Sequence, residues 1–126
     1  MLYPDINSQK KLQQNSTRYR TALYLRLSRE DGDKTESDSI ANQRTLLETY
    51  AVDHPELCIV DEFVDDGYSG SNFERPAFQR LLRELEQGTV NCILVKDLSR
   101  FGRNYIEVGR YLERIFPVMR VRLIAV

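Results

Sequence analysis

The stretch TALYLRLS, residues 21 to 28, decides the fold that this sequence predicts. Its apolar and β-favouring residues predict a strand over 21 to 27 that leaves the core at its end. Arg26 and Ser28 lie at that end, so the strand brings a cation and a hydroxyl to the edge of a sheet. Functional groups of parallel α/β sheets collect beyond the carboxyl ends of the strands, so this edge is where we expect a site.

Short apolar runs alternate with longer amphipathic runs along the rest of the chain. Further strands are predicted at LCIVDEFV (57–64), NCILVK (91–96) and VRLIAV (121–126). Helices are predicted at SIANQRTLLETYAVDH (39–54), PAFQRLLRELEQG (76–88) and NYIEVGRYLERIF (104–116), the last ending just before Pro117. This alternation predicts a three-layer α/β domain with a mainly parallel sheet of at least four strands and helices on both faces.

Residues 1–20 are polar and carry no sustained period, so we expect a disordered tail there and a single domain over 21–126. The last apolar run stops inside a predicted strand. A strand at that place leaves its covering layer unspecified, so we expect the domain to be truncated at its C-terminal end.

The composition is that of a globular domain, with 41% hydrophobic and 29% charged residues among 126. Eighteen basic and 19 acidic residues give a net charge of -1, so contact with nucleic acid must rest on local clusters of charge. Cys58 and Cys92 sit in apolar runs, which predicts buried free thiols. The sequence predicts neither a signal peptide nor a membrane span, and we expect a cytoplasmic protein.

Polar residues follow each of the first three strands and form the candidate site. They are Arg26 and Ser28; Asp65, Asp66, Ser69 and Arg75; and Lys96, Asp97, Ser99, Arg100 and Arg103, with Gln43 and Arg44 added by the first helix. Guanidinium and ammonium groups that converge on a hydroxyl favour an oxyanion such as phosphate. Serine would supply the nucleophile, and arginines would stabilise the charged phosphoryl oxygens.

Other catalytic classes are poorly supported by the sequence. His54 is the only histidine and lies late in a predicted helix, which argues against a Ser-His-Asp triad. One histidine and two cysteines in strands do not form a zinc set, and the acidic residues between 30 and 38 do not fit an EF-hand loop. The sequence therefore favours arginine-based transfer with no metal and no cofactor.

Four segments, in order, resemble the catalytic domain of serine recombinases, particularly the large transposon type. They are YLRLS (24–28), SIANQR (39–44), DDGYSGSNFERPAFQRLL (65–82) and VKDLSRFGRN (95–104). The resemblance implies a resolvase-like fold and a site-specific recombinase that cuts and rejoins DNA through a covalent 5′-phosphoserine intermediate. It also implies a homo-oligomer, in which dimers of the full-length protein assemble into a synaptic tetramer on DNA.

The resemblance also implies roles for single residues. Ser28 falls on the nucleophile of the family, Gln43 on a motif glutamine, Tyr24 on an aromatic position and Asp65 on an acidic position. The active-site arginines correspond to Arg26, Arg75, Arg100 and Arg103. The sequence departs from the smaller resolvases at Ser99, where they carry an aspartate, and in the longer, more acidic segment 29–38.

Several of these residues also have a purely structural interpretation. Arg26 can form a salt bridge with Asp65 or Asp66, and Gln43 can be an exposed helix residue. The other arginines can be solvated turn or surface residues. Gly102 allows either a close approach of phosphate or a turn with positive φ. Phe101 and Tyr105 are more typical of a core than of base stacking.

Two other functions remain open at this point. In a receiver-like regulatory domain, Asp65 or Asp66 would accept a phosphoryl group. The chain is alternatively a catalytically silent fragment or assembly module, which lacks the further parts that an active recombinase needs.

Overall fold

A computed structural model describes residues 18–27, 39–68 and 73–126. Four strands are present in this part of the chain: β1 (Tyr19–Leu27), β2 (Leu57–Asp66), β3 (Cys92–Val95) and β4 (Arg122–Ala125). The α-helices are α1 (Ile40–Val52), α2 (Pro76–Gln87), α3 (Leu98–Phe101), α4 (Tyr105–Arg110) and α5 (Phe116–Met119), with a π-helical segment at Tyr111–Ile115 between the last two.

The four strands form one sheet in the order β2-β1-β3-β4, and each neighbouring pair is parallel. β1 lies inside the sheet and is buried from residue 21 to residue 26. It begins at Tyr19, two residues earlier than predicted, because the register with β2 pairs Tyr19 with Leu57. At its other end Arg26 pairs with Asp65, so both residues reach the same edge of the sheet.

Each face of the sheet carries its own apolar core. Tyr24, Phe78, Leu81, Phe101 and Phe116 belong to one core, which lies between the sheet and α2 to α5. The other core lies beneath α1 and comprises Leu23, Leu25, Leu47, Leu57, Cys92 and Leu94. The three-layer α/β fold predicted from the sequence is confirmed.

α1 begins after Ser39, whose side chain accepts a hydrogen bond from the Asn42 amide over 3.1 Å, as expected for a helix cap. The buried residues of this helix are Gln43 and Leu47. The spacing of Ile40, Leu46, Leu47, Tyr50 and Ala51 predicts an apolar stripe on this helix, which is wrong at Leu46, because that residue is 39% exposed. The helix is therefore turned so that a polar side chain, that of Gln43, enters the protein.

The predicted helix over 104–116 differs from the structure at Pro117. Instead of following the helix, Pro117 lies in the first turn of α5. Proline has no amide hydrogen, and the π-helical segment before it shifts the hydrogen bonds, with the Phe116 amide donating to the Tyr111 carbonyl. DLSRFGR, for which the sequence predicts no element, contains the helical turn α3.

The prediction of two buried cysteines is right for Cys92 and wrong for Cys58. β3 lies between β1 and β4, and the Cys92 side chain packs in the core beneath α1. β2 is an edge strand, and much of its first half is exposed, including Cys58. Both thiols are free. Among the described residues, no helix is both long and apolar enough to cross a membrane.

Candidate active site at the carboxyl edge of the sheet

The main chain of Arg26 is held where the pairing of β1 with β3 has ended, beyond Leu23 and Leu94. The Gln43 side chain accepts a hydrogen bond from the Arg26 amide over 3.3 Å and donates one to the Arg26 carbonyl over 3.0 Å. Nη1 of Arg100 donates to the same carbonyl over 3.0 Å. Gln43 is fully buried, so its interpretation as an exposed helix residue is wrong.

The Arg26 side chain is fully buried and donates to three main-chain carbonyl oxygens. These belong to Arg100 at 3.0 Å, Ser99 at 2.5 Å and Tyr68 at 2.9 Å. Among the described residues, no salt bridge joins Arg26 to Asp65 or Asp66, so that alternative is wrong. Carbonyl oxygens satisfy the donors without cancelling the charge. These hydrogen bonds therefore leave the positive charge of Arg26 in place.

Burial lowers the pKa of Arg26 to about 10, and the positive charges of Arg100, Arg75 and Arg103 act in the same direction. The other three arginines of the candidate site are thus close enough to act on the charge of Arg26. Such a cluster is costly in the free protein and becomes favourable when an anion binds.

Arg75 lies at the start of α2 and is 1% exposed, so it is not a solvated turn residue. Its guanidinium donates to the Phe101 carbonyl over 2.6 Å and to the Tyr24 hydroxyl over 2.9 Å. It also lies 4.8 Å from the centre of the Phe73 ring and 5.0 Å from that of Phe78. Burial lowers the pKa of Arg75 below its ordinary value.

Asp65 joins the end of β2 to the start of α2. Its carboxylate accepts hydrogen bonds from the amides of Ala77 and Phe78, both at 2.9 Å, and from the Tyr24 hydroxyl at 2.7 Å. Two free amides at a helix start are well satisfied by a carboxylate. Since Tyr24 also receives the bond from Arg75, Asp65 orients that arginine through the phenol.

This arrangement does not favour the receiver-like alternative. Asp65 is 1% exposed, and both of its carboxylate oxygens already accept hydrogen bonds from the protein. A phosphoryl acceptor needs an accessible oxygen. Asp66, the adjacent residue, is exposed, so burial disfavours this role for Asp65 alone.

The turn that contains α3 holds the remaining polar groups. Asp97 caps α3 and accepts a hydrogen bond from the Arg100 amide over 3.1 Å. The Ser99 hydroxyl donates to the same carboxylate over 2.5 Å. Arg100 is 5% exposed, so its interpretation as a surface charge is wrong. The bonds between Arg26 and Arg100 run in both directions, since each side chain donates to the other's carbonyl.

Of the other predicted residues, Arg103 acts on the arginine cluster, whereas Arg44 is paired elsewhere. Arg103 is exposed, while its charge acts on Arg26. Arg44 points away and forms a two-bond ion pair with Glu62, at 2.5 and 3.0 Å. Ser28 and Ser69 lie outside the described residues. Ser28 follows Leu27, the last residue of β1, in the sequence.

Gly102 is required for close packing, which the sequence did not indicate. Its φ of -178° is ordinary extended backbone, so the predicted turn with positive φ is wrong. A methyl group added there would lie 2.7 Å from the Phe73 ring and 3.1 Å from Val108. Phe101 is a core residue as predicted, but Tyr105 is 90% exposed.

The site thus combines a buried frame with a positively charged edge. Main-chain and tyrosine oxygens hold Arg26 and Arg75 in fixed positions. Because the frame is already formed, binding an oxyanion there would need little rearrangement of these groups. The arrangement is suited to phosphoryl chemistry.

Comparison with known proteins agrees with this assignment. The model of the family described as Resolvase, N terminal domain, matches residues 21–124. The catalytic domain of TP901-1 integrase superposes with a TM-score of 0.73 at 29% identity, over 84% of this chain and 75% of that one. A resolvase family site-specific recombinase from Streptococcus pneumoniae gives 0.70 at 30% identity, over 86% and 72%.

Transposon proteins are also similar. The catalytic domain of ISC1926 TnpA, an IS607-like serine recombinase, gives a TM-score of 0.69 at 25% identity, over 84% of this chain and 66% of that one. No curated protein matches the chain significantly. The family match spans nearly the whole chain and agrees with the fold and the arginine cluster. The chain therefore belongs to the resolvase N-terminal domain family and is the catalytic domain of a serine recombinase, an enzyme that carries out site-specific DNA recombination.

Proposed function

We propose that this domain cleaves and rejoins DNA through a covalent bond between Ser28 and a 5′ phosphate. The single observation that carries the proposal is the cluster of four arginines around the end of β1, where Arg26 lies one residue before Leu27 and two before Ser28. Positive charge retained in a buried frame at that position suits a phosphodiester.

In the proposed reaction, the Ser28 oxygen attacks the phosphorus and loses its proton. A new bond joins phosphorus to the serine oxygen, while the bond from phosphorus to the 3′ oxygen breaks. The 3′ oxygen takes up a proton and leaves as a hydroxyl. Rejoining is the reverse attack by a 3′ hydroxyl, which restores the serine. The energy of the phosphodiester is kept in the intermediate, so no nucleotide cofactor is needed.

The arginines divide the work in this proposal. Arg26 and Arg75 are buried and supply positive charge from beneath the phosphate, while Arg103 is exposed and accessible to DNA. Arg100 is 5% exposed and donates to the Arg26 carbonyl. Gln43 holds the main chain of Arg26, and Asp65 orients Arg75 through Tyr24, so these two act as positioning residues.

The natural protein that carries this domain is proposed to act as a dimer that pairs with a second dimer on DNA. Both strands at two sites must be cut and exchanged, which four copies of Ser28 would achieve. The net charge of -1 gives the domain little general attraction to DNA, so affinity would come mainly from other parts of the natural protein. A cytoplasmic location stays a prediction of the sequence.

The test is to trap the cleaved complex of the natural protein with its recombination-site DNA in denaturant. Mass mapping of the adduct should place the DNA bond on Ser28, and Ser28→Ala should abolish the adduct. Thr45→Ala, which removes an exposed hydroxyl from α1, serves as the control and should retain it. An adduct formed by Ser28→Ala would overturn the proposal.

A further inference from the structure

One carboxylate oxygen near the site accepts two hydrogen bonds from the α3 turn and lies close to a third polar group of that turn. Oδ1 of Asp97 accepts the Ser99 hydroxyl at 2.5 Å and the Arg100 amide at 3.1 Å. It also lies 3.8 Å from Nε of Arg100. None of these contacts is needed to build the sheet, because β3 ends at Val95.

The same turn supports the buried arginine of β1. The carbonyl oxygens of Ser99 and Arg100 accept two of the bonds from the Arg26 guanidinium. Arg100 returns a bond to the Arg26 carbonyl. A shift of the turn would therefore move Arg100 and Arg26 together, and Arg26 lies two residues before Ser28 in the sequence.

We infer that Asp97 is a positioning residue for strand cleavage, acting through Ser99 and Arg100. The inference rests on the proposed function, and it assigns Asp97 no contact with DNA. Its negative charge lies 3.8 Å from Nε of Arg100 and attracts the guanidinium, whose Nη1 and Nη2 donate to the Arg26 carbonyl and the Ser99 hydroxyl. The Ser99 hydroxyl donates its hydrogen to Asp97, so the Ser99 oxygen is left to accept the hydrogen bond that Nη2 of Arg100 donates over 3.4 Å.

Substitution by asparagine separates the two roles of Asp97, which are to cap α3 and to place a negative charge beside Arg100. Asparagine caps a helix about as well as aspartate, so Asp97→Asn should keep α3 in place. It removes only the charge beside Arg100. Because misplacing a preorganised cation slows chemistry more than it weakens binding, cleavage by Asp97→Asn should be about tenfold to a hundredfold slower at saturating DNA.

A second substitution tests whether the charge itself is what matters. The Ser99 oxygen lies close to both Asp97 and Arg100, so an aspartate at 99 would place a carboxylate beside the same guanidinium. In the double variant Asp97→Asn, Ser99→Asp, most of the lost rate should return. A purely structural role for Asp97 would give no such rescue. Ser99→Ala alone should slow cleavage by about fivefold, the effect of one hydrogen bond.

The experiment measures the rate of covalent adduct formation by the natural protein on its recombination-site DNA, together with DNA affinity and thermal melting. Glu107→Gln is the matched control. Glu107 lies 3.5 Å from Arg110, three residues later in the chain, and forms an ion pair with it. Glu107→Gln removes that carboxylate and changes the net charge by the same amount as Asp97→Asn. The control should cleave at the wild-type rate, and DNA affinity should be the same in Asp97→Asn and Glu107→Gln.

The inference is overturned if Asp97→Asn cleaves as fast as the wild type, if the double variant stays as slow as Asp97→Asn, or if Glu107→Gln is slowed equally. A failure of the proposed function gives a different result, since the wild type itself would then form no adduct at Ser28.

Discussion

The side-chain amide of Gln43 bonds both the amide and the carbonyl of Arg26, at 3.3 and 3.0 Å, and so replaces the neighbouring strand where β3 has ended. A buried main-chain group that loses its partner is costly. The glutamine is therefore important for stability as well as for the site.

We expect Gln43→Ala to lower the free energy of unfolding by about 1 to 3 kcal/mol, because the buried Arg26 amide loses its bond and a cavity forms. Urea denaturation followed by circular dichroism measures the change. Thr45→Ala, at an exposed position of the same helix, should change stability by less than about 0.5 kcal/mol. Equal stabilities of the two variants would show that the amide bonds contribute nothing.

Tyr24→Phe removes the hydroxyl that joins Asp65 to Arg75 and leaves both with one partner fewer. The expected loss at neutral pH is about 1 to 3 kcal/mol, measured by urea denaturation. The variant should keep its fold because the aromatic ring still packs edge-on against Phe78. A loss below about 0.5 kcal/mol would contradict a structural role for the hydroxyl.

The same variant gives a pH test. Burial raises the pKa of Tyr24 above its ordinary value of 10.0, so the folded protein holds a proton that the unfolded chain releases. The contribution of Tyr24 is then complete below pH 10 and declines as the pH rises further. The stability gap between the wild type and Tyr24→Phe should narrow above pH 10.

Gly102→Ala should destabilise the protein by about 1 to 3 kcal/mol, since the added methyl group meets the Phe73 ring at 2.7 Å. Phe73 covers Arg75, so adduct formation should slow as well. Gly109→Ala is the matched control, because nothing lies within 4 Å of the added methyl group. Within a helix that change should stabilise by about 0.5 to 1 kcal/mol. Thermal melting of the two variants should therefore shift in opposite directions.

The two cysteines should differ sharply in reactivity. A thiol reagent at pH 8 should label exposed Cys58 within minutes, whereas Cys92 is buried and burial raises its pKa, so it should react only after unfolding. Mass spectrometry of timed samples counts the labels. Rapid double labelling of the folded protein would contradict the position of β3 in the sheet.

The sequence indicated the sheet and its edge correctly because strand and helix periodicity are local properties. Alternating apolar runs located β1 to β4, and Ser39 and Gly88 were found at helix ends as cap chemistry requires. Arg26 and Arg75 were identified as site candidates, but their burial and partners depend on residues distant in the chain.

The errors have specific physical causes. Periodicity placed Leu46 inside and left Gln43 undecided, because the deciding bonds come from Arg26 on another element. Cys58 was expected inside because its neighbours are apolar, yet edge position in the sheet depends on strand order. Gly102 was interpreted from its own torsional freedom, whereas the constraint is the Phe73 ring, 29 residues earlier. The hydrogen bonds among Asp97, Ser99 and Arg100 depend on the geometry of the folded turn, which has no periodic pattern in the sequence.

The two-way bonds between Arg26 and Arg100 also have a consequence for how the protein is made. The two residues are 74 positions apart in the chain, and each completes the other's hydrogen bonding. A nascent polypeptide that has emerged only as far as β3 has the tip of β1 but lacks the turn that holds it. The proposed catalytic centre can therefore form only after the α3 turn has been synthesised, and a product terminated before that turn would lack it.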